Sequence, residues 1–129
     1  MASGVGTARG KGPLYRLYTA RLRRELTPEN MPHHIAMMID GNRRWARQLG
    51  YETAAHGHRA GAAKMREFLE WCDDLGVKVV SLYLLSTDNV RKRDAAELND
   101  LLQIIAGLAE ELSRVRDWRV KHVGRADLL

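Results

Sequence analysis

Hydrophobic positions along the chain change period several times, and each change marks a predicted element. After Pro13, residues Leu14, Leu17, Tyr18, Leu22 and Leu26 recur at near-helical spacing, with arginines on the opposite side. This predicts an amphipathic helix over roughly 14–26, ended before Pro28. Such a stripe is expected to pack on its own domain, the alternative being a helix that lies on a membrane surface. His34–Ile39 is a short continuous apolar run that stops at the turn-forming triplet Asp40-Gly41-Asn42, the pattern of a buried parallel strand. From Gly57 to Leu75, Met65, Phe68, Leu69, Cys72 and Leu75 line one helical face, and Gly76 ends it. Val77–Leu85 is rich in β-branched and apolar residues and reads as a second buried strand. A polar loop, Ser86–Asp94, follows. Leu98, Leu101, Leu102, Ile105, Leu108 and Leu112 then mark another long helix, and Arg119–Val123 a third strand.

The predicted order β, α, β, α, β, with connections of crossover length, implies an α/β fold: a parallel sheet flanked by helices. The sequence stops just after the third predicted strand, where such sheets commonly continue, so it reads as cut. Its 129 residues suit one domain. Residues 1–12 are small, polar and basic, without the apolar core of a secretory signal, and are expected to form a disordered basic tail before a domain at 13–129. No apolar run approaches the ~20 residues that a membrane span requires. The single cysteine, Cys72, excludes an internal disulfide and a cysteine metal cluster. It falls on a buried helical stripe and is expected to be a small core residue. A reducing, cytoplasmic setting fits, with association at the inner face of the membrane as a further option.

Charge changes this picture because it is unevenly placed. Residues 1–49 carry nine Lys/Arg against three carboxylates, a balance of +6, whereas residues 50–129 carry twelve against thirteen. A basic front end favours an anionic partner: a phosphorylated small molecule, an acidic lipid surface or nucleic acid. Ligands of open α/β sheets bind at the carboxyl ends of strands, and Asp40-Gly41-Asn42-Arg43-Arg44-Trp45-Ala46 falls there. Gly41 permits close approach of the backbone. The following amides would open a helix and attract phosphate, and Arg43 and Arg44 add planar donors. Asp40 would repel a diphosphate unless a divalent cation such as Mg2+ lay between them. From residues alone, a strand-end turn leading into a solvated basic helix has nearly equal weight.

The run HIAMMIDGNRRWAR closely resembles the signature of cis-prenyltransferases, the family of undecaprenyl diphosphate synthase. Gly57-His58-Arg59-Ala60-Gly61 resembles the family's G-H-x-x-G segment, and Leu82–Asn89 its L-Y-x-x-S-[ST]-E-N segment, in the same order. The likeness runs from about Pro13 to the end of the chain and is greatest to actinobacterial members, including those making (2Z,6E)-farnesyl diphosphate. It implies the N-terminal half of an enzyme that condenses isopentenyl diphosphate with an allylic diphosphate to form a cis prenyl diphosphate. By resemblance, Asp40 is the essential carboxylate and metal ligand. Gly41, Asn42, Arg43 and Arg44 cradle the allylic diphosphate, with His58 beside it and Trp45, also a substrate-binding candidate, packed under the loop. Ser86 and Asn89 sit across the active site close to the condensation, Asn89 in a catalytic role, and Asp88 is a substrate-binding residue. Arg93 matches the arginine that follows that asparagine, across a loop one residue longer here. Leu84 stands where bulky residues resemble short-product enzymes. Mg2+ is the implied cofactor and a homodimer the implied assembly.

Departures are specific. Asp88 stands in place of the usual glutamate, and Val90 in place of a frequent aromatic. The family's second anchor, which holds isopentenyl diphosphate and completes the metal site, has no counterpart in these 129 residues. The isolated chain is therefore expected to bind an allylic diphosphate weakly and not to turn over. A truncated or accessory subunit of a prenyltransferase is the alternative, although such a partner has no need of an intact Asp40–Arg44 loop. A fragment of an undecaprenyl or decaprenyl diphosphate synthase is another. No motif or recognisable fold supports nucleic-acid binding. A trans-prenyltransferase is excluded, because position 77, where D-D-x-x-D needs a third aspartate after Asp73-Asp74, is valine. Of the remaining polar residues, His33 has no expected ligand role, and phosphate contact is the lesser reading for His56. Arg91, Lys92 and Arg93 form a basic stretch that is either solvated or in reach of diphosphate.

Overall fold

The computed structural model describes residues 12–114, 118–125 and 127. They fall into two units, one up to His33 and one from His34 onward.

The first unit holds α1 (Pro13–Glu25). Pro13 sits in the first turn, where its missing N–H costs nothing, and Arg23 and Arg24 lie in the last turn, where positive charge suits the helix dipole. Leu26 leaves the helix in an extended conformation, so the observed limits lie one residue before those predicted. No residue of α1 is buried, and Leu14, Leu17 and Tyr18 are prominently exposed.

The second unit contains β1 (His34–Met38), α2 (Asn42–Gln48), α3 (Ala55–Asp74), β2 (Val79–Tyr83), α4 (Thr87–Lys92) and α5 (Ala95–Arg114). The two strands pair in parallel, His34 opposite Val79 and Met38 opposite Tyr83. α2 and α3 together make the crossover that parallel pairing requires. Alternation follows the pleat. Ile35, Met37, Val80 and Leu82 are half-buried, while His34, Ala36, Met38, Val79, Ser81 and Tyr83 face outward. The strands were expected to be buried on both faces; one face is open, with His34 Nε2 and Ser81 Oγ hydrogen-bonded across it at 2.9 Å.

The core is mainly helical. Met65, Leu69 and Cys72 of α3 and Leu101, Ile105 and Leu108 of α5 are buried, joined by Ala46 of α2 and Val77. The 3.6-residue periodicity predicted both long helices for this reason: one apolar stripe on each meets the other. Arg66 and Glu111 clamp the pair with two hydrogen bonds of 2.7 and 2.8 Å from Nε. Gly76, at φ +77°, terminates α3 in the left-handed conformation that favours glycine.

Two expectations are corrected. The stretch Ser86–Asp94 is not all loop, because Ser86 caps a short helix: its Oγ accepts the Asn89 amide at 3.1 Å. Asp88 in the first turn and Arg91 and Lys92 in the last complement the helix dipole. Arg119–Val123 is not a strand. Its alternating valines match a strand in propensity, but a strand exists only by pairing. This segment has no ladder among the described residues, and Val123 is 91% exposed.

Candidate active site

A cavity of about 410 Å³ opens where β1 and β2 end, between α2, α3 and α5. Its polar end is formed by Asp40, Gly41, Asn42, Arg43, Arg44, Arg47, His58 and Arg93. Its apolar wall comes from Ala62 and Met65 of α3, Leu84 after β2, and Leu101, Ile104, Ile105 and Leu108 of α5. One end is therefore cationic and the other hydrocarbon-like, a division suited to an amphiphilic anion.

Local sequence sets the polar end. Gly41 adopts φ +92°, which turns the chain from β1 into α2 at no steric cost. Asp40 Oδ1 accepts the Gly41 amide at 2.6 Å, and Oδ2 lies 4.0 Å from Arg44 Nη2. Both side chains are largely solvent-exposed, at 83% and 72%, so their mutual attraction is weak and leaves each available. The amides of Asn42, Arg43 and Arg44 begin α2 and lack helical acceptors, since the first is the Trp45 amide, 2.8 Å from Gly41 O.

Two glycines of α3 bring this loop close. A Cβ at Gly57 would lie 2.0 Å from the Asn42 carbonyl oxygen, and one at Gly61 2.5 Å from Asn42 Nδ2. The G-H-x-x-G spacing thus places both glycines on the face of α3 that Asn42 touches, with His58 turned inward beside them.

His58 is nearly sealed, with 4% of its side chain exposed, and Nε2 donates to Glu97 Oε1 at 3.1 Å. The same oxygen accepts from Arg93 Nη1 and lies 3.2 Å from Arg43 Nε. Arg93 also reaches Asn89 Oδ1 at 3.5 Å, while its buried Nε has no acceptor. Sequence reasoning did not single out Glu97. Its only signal was the spacing Asp94-x-x-Glu97, which reads as a capping box. Asp94 Oδ1 does accept the Glu97 amide at 2.8 Å, but the Glu97 side chain turns to the cavity. Arg47 was likewise not anticipated as a lining residue.

The remaining candidates lie elsewhere. Ser86 and Asn89 are engaged with each other at the start of α4, and Asp88 is exposed there. Neither they nor Trp45 line the cavity, whereas Leu84 and Arg93 do. Trp45 is 40% exposed and tilts against Tyr51, which stacks on His56 at 4.4 Å. Cys72 is buried as expected, and burial pushes its thiol pKa up.

Comparison with known proteins gives the family. The prenyltransferase family model described as undecaprenyl diphosphate synthase matches residues 38–129. The chain is 46% identical over 122 residues to the (2Z,6E)-farnesyl diphosphate synthase of Mycobacterium tuberculosis (strain ATCC 25618 / H37Rv), covering 92% of this chain and 46% of that protein. It is 45% identical over 116 residues to isoprenyl transferase 1 of Tropheryma whipplei (strain TW08/27), covering 90% and 44%. With isoprenyl transferase 1 of Corynebacterium efficiens it shares 50% over 117 residues, covering 90% and 45%. The chain spans a little under half the length of these curated relatives.

Proposed function

The chain belongs to the undecaprenyl diphosphate synthase family, and on that premise we propose that it forms the allylic-diphosphate side of a cis-prenyl transfer site. The observation that carries this reading is the two-ended cavity, with Asp40–Arg44 at its cationic mouth and the apolar faces of α3 and α5 behind. The diphosphate lies at the amides of Asn42–Arg44 and the Arg44 guanidinium, and the prenyl chain runs along Met65, Leu101, Ile105 and Leu108.

In the proposed reaction the allylic C–O bond breaks and diphosphate departs. The double bond of isopentenyl diphosphate attacks the allylic carbon, and a proton is lost to give the new cis double bond. This chain's part is to gather the negative charge that grows on the leaving group and to hold the allylic carbon in line. Arg44 and the free amides take that charge, while His58, at the cavity wall, carries a proton near the diphosphate. By family resemblance Asn89, which does not line the cavity but meets its lining residue Arg93 at 3.5 Å, acts close to the condensation with Ser86 beside it.

Asp40 fits a Mg2+ ligand in one limited sense. Its carboxylate is exposed at the mouth, and no cluster of three or more His, Cys, Asp or Glu stands among the described residues. These residues would supply one ligand through Asp40, with diphosphate and water among the others, as Mg2+ commonly accepts. Bound there, the ion would neutralise leaving-group charge. Leu84 on the apolar wall, together with the relative named (2Z,6E)-farnesyl diphosphate synthase, favours a short product. The exposed leucines and the arginines of α1 support contact with an anionic membrane surface. Among the described residues, no helix is long and apolar enough to cross a membrane. A homodimer rests on the family resemblance alone.

Titration of the chain with geranyl diphosphate and Mg2+ tests this function. Binding should weaken about tenfold or more in Arg44→Ala, on the scale of a lost charge-assisted contact. It should lose its Mg2+ dependence in Asp40→Asn. Equal binding by wild type and both variants would reject the assignment.

A further inference from the structure

Glu97 is the only carboxylate among the described residues that meets three cationic or potentially cationic cavity residues at once: His58, Arg43 and Arg93. All three contacts converge on one oxygen, Oε1, on a side chain that is 11% exposed. This convergence has two consequences. Nε2 of His58 is committed as a donor, so Nδ1 is the ring nitrogen left toward the cavity, an acceptor in the neutral ring and a donor to an anion only once protonated. Arg93, 13% exposed, is held by Glu97 and by a long contact of 3.5 Å to Asn89, with its Nε unpaired. Without the carboxylate, little would keep this guanidinium at the cavity wall.

We propose that Glu97 is a positioning residue: one carboxylate oxygen fixes His58 as an Nε2–H donor and anchors Arg93 and Arg43, so that an incoming diphosphate meets a preset cationic wall. The assignment of a diphosphate as the ligand rests on the function proposed above; the control of His58 and Arg93 does not. Two effects oppose each other when the charge is removed. Loss of a negative group beside two guanidiniums favours any anion through simple attraction. Loss of the anchor frees the largely covered Arg93 to leave the wall and lets the His58 ring exchange tautomers. Burial decides the sign, because a nearly sealed charge depends on its partner far more than an exposed one does.

The test is Glu97→Gln in the full chain, with Glu97→Asp beside it. 15N NMR of the His58 ring in the ligand-free protein should show a proton held on Nε2 in wild type and a redistribution between the ring nitrogens in E97Q. Affinity for inorganic pyrophosphate should fall about tenfold in E97Q. E97D, which keeps the charge on a shorter arm, should restore part of it. His58 signals identical in wild type and E97Q, or pyrophosphate bound as tightly or more tightly by E97Q, would overturn the role of Glu97. If E97Q does not fold, E97D carries the test: an intermediate loss with an altered His58 ring supports the role, and wild-type behaviour in both refutes it. A wild-type chain that binds no pyrophosphate yet shows the His58 change would sink the proposed function and leave Glu97 as the anchor of the cluster.

Discussion

Substitution of the two glycines of α3 separates the packing of the site from its chemistry. In Gly57→Ala the new Cβ would lie 2.0 Å from the Asn42 carbonyl oxygen and 2.8 Å from its carbon, both backbone atoms. Reaching even the 3.0 Å that real Cβ contacts essentially never undercut means a separation of about 1 Å between α3 and the start of α2. Overpacking of this kind costs about 1–3 kcal/mol, and an obstacle made of backbone places it toward the upper end. Gly57 lies in the first turn of α3, where the gain in helix propensity is small, so about 2 kcal/mol of net destabilisation is expected. That corresponds to a melting midpoint lowered by roughly 6–10 °C. Gly61→Ala differs, because its Cβ meets the Asn42 side-chain amide at 2.5 Å, and that amide can swing away. The propensity gain of ~1 kcal/mol at an interior helical site offsets the cost, leaving stability nearly unchanged while Asn42 is displaced. Thermal melts followed by circular dichroism, paired with pyrophosphate titration, distinguish the two. G57A should lose both stability and binding, and G61A binding alone. A G57A chain that melts with wild type would refute the close approach of α3 to Asn42.

Two further outcomes follow from the same structure. Ser86→Ala removes the N-cap of α4 and should cost about 1 kcal/mol, read as lost hydrogen-exchange protection at Val90 and the adjoining α4 amides; unchanged protection there would mean the cap contributes nothing. Cys72 is buried with its thiol pKa raised, so iodoacetamide should label it slowly in the native chain and rapidly in guanidinium. Its neutral form is favoured on folding, so its contribution to stability is intact below about pH 8.5 and declines above. Equal native and denatured labelling rates would contradict its burial.

What the sequence made legible divides along physical lines. The stripes of α3 and α5 were readable because each buried face is written locally, in Met65-Leu69-Cys72 and Leu101-Ile105-Leu108. The turn at Asp40–Asn42 was readable because Gly41 has a conformational reason to be there. Arg119–Val123 misled, since propensity is local and pairing is not. The short α4 was hidden in a polar stretch whose meaning depends on the Ser86 cap. Glu97 was hidden by a different ambiguity. Its spacing from Asp94 describes a helix start, and the partners of its side chain lie as many as 54 positions away in the chain, at Arg43. Charges that satisfy one another across elements leave no periodic trace.

The most direct test of the account is a structure of the chain with geranyl thiodiphosphate, an unreactive allylic diphosphate, and Mg2+. The account predicts the diphosphate at the amides of Asn42–Arg44 and the Arg44 guanidinium, the metal between it and Asp40, and the hydrocarbon between α3 and α5. A headgroup bound away from this loop, with Asp40 and Arg44 untouched, would contradict it.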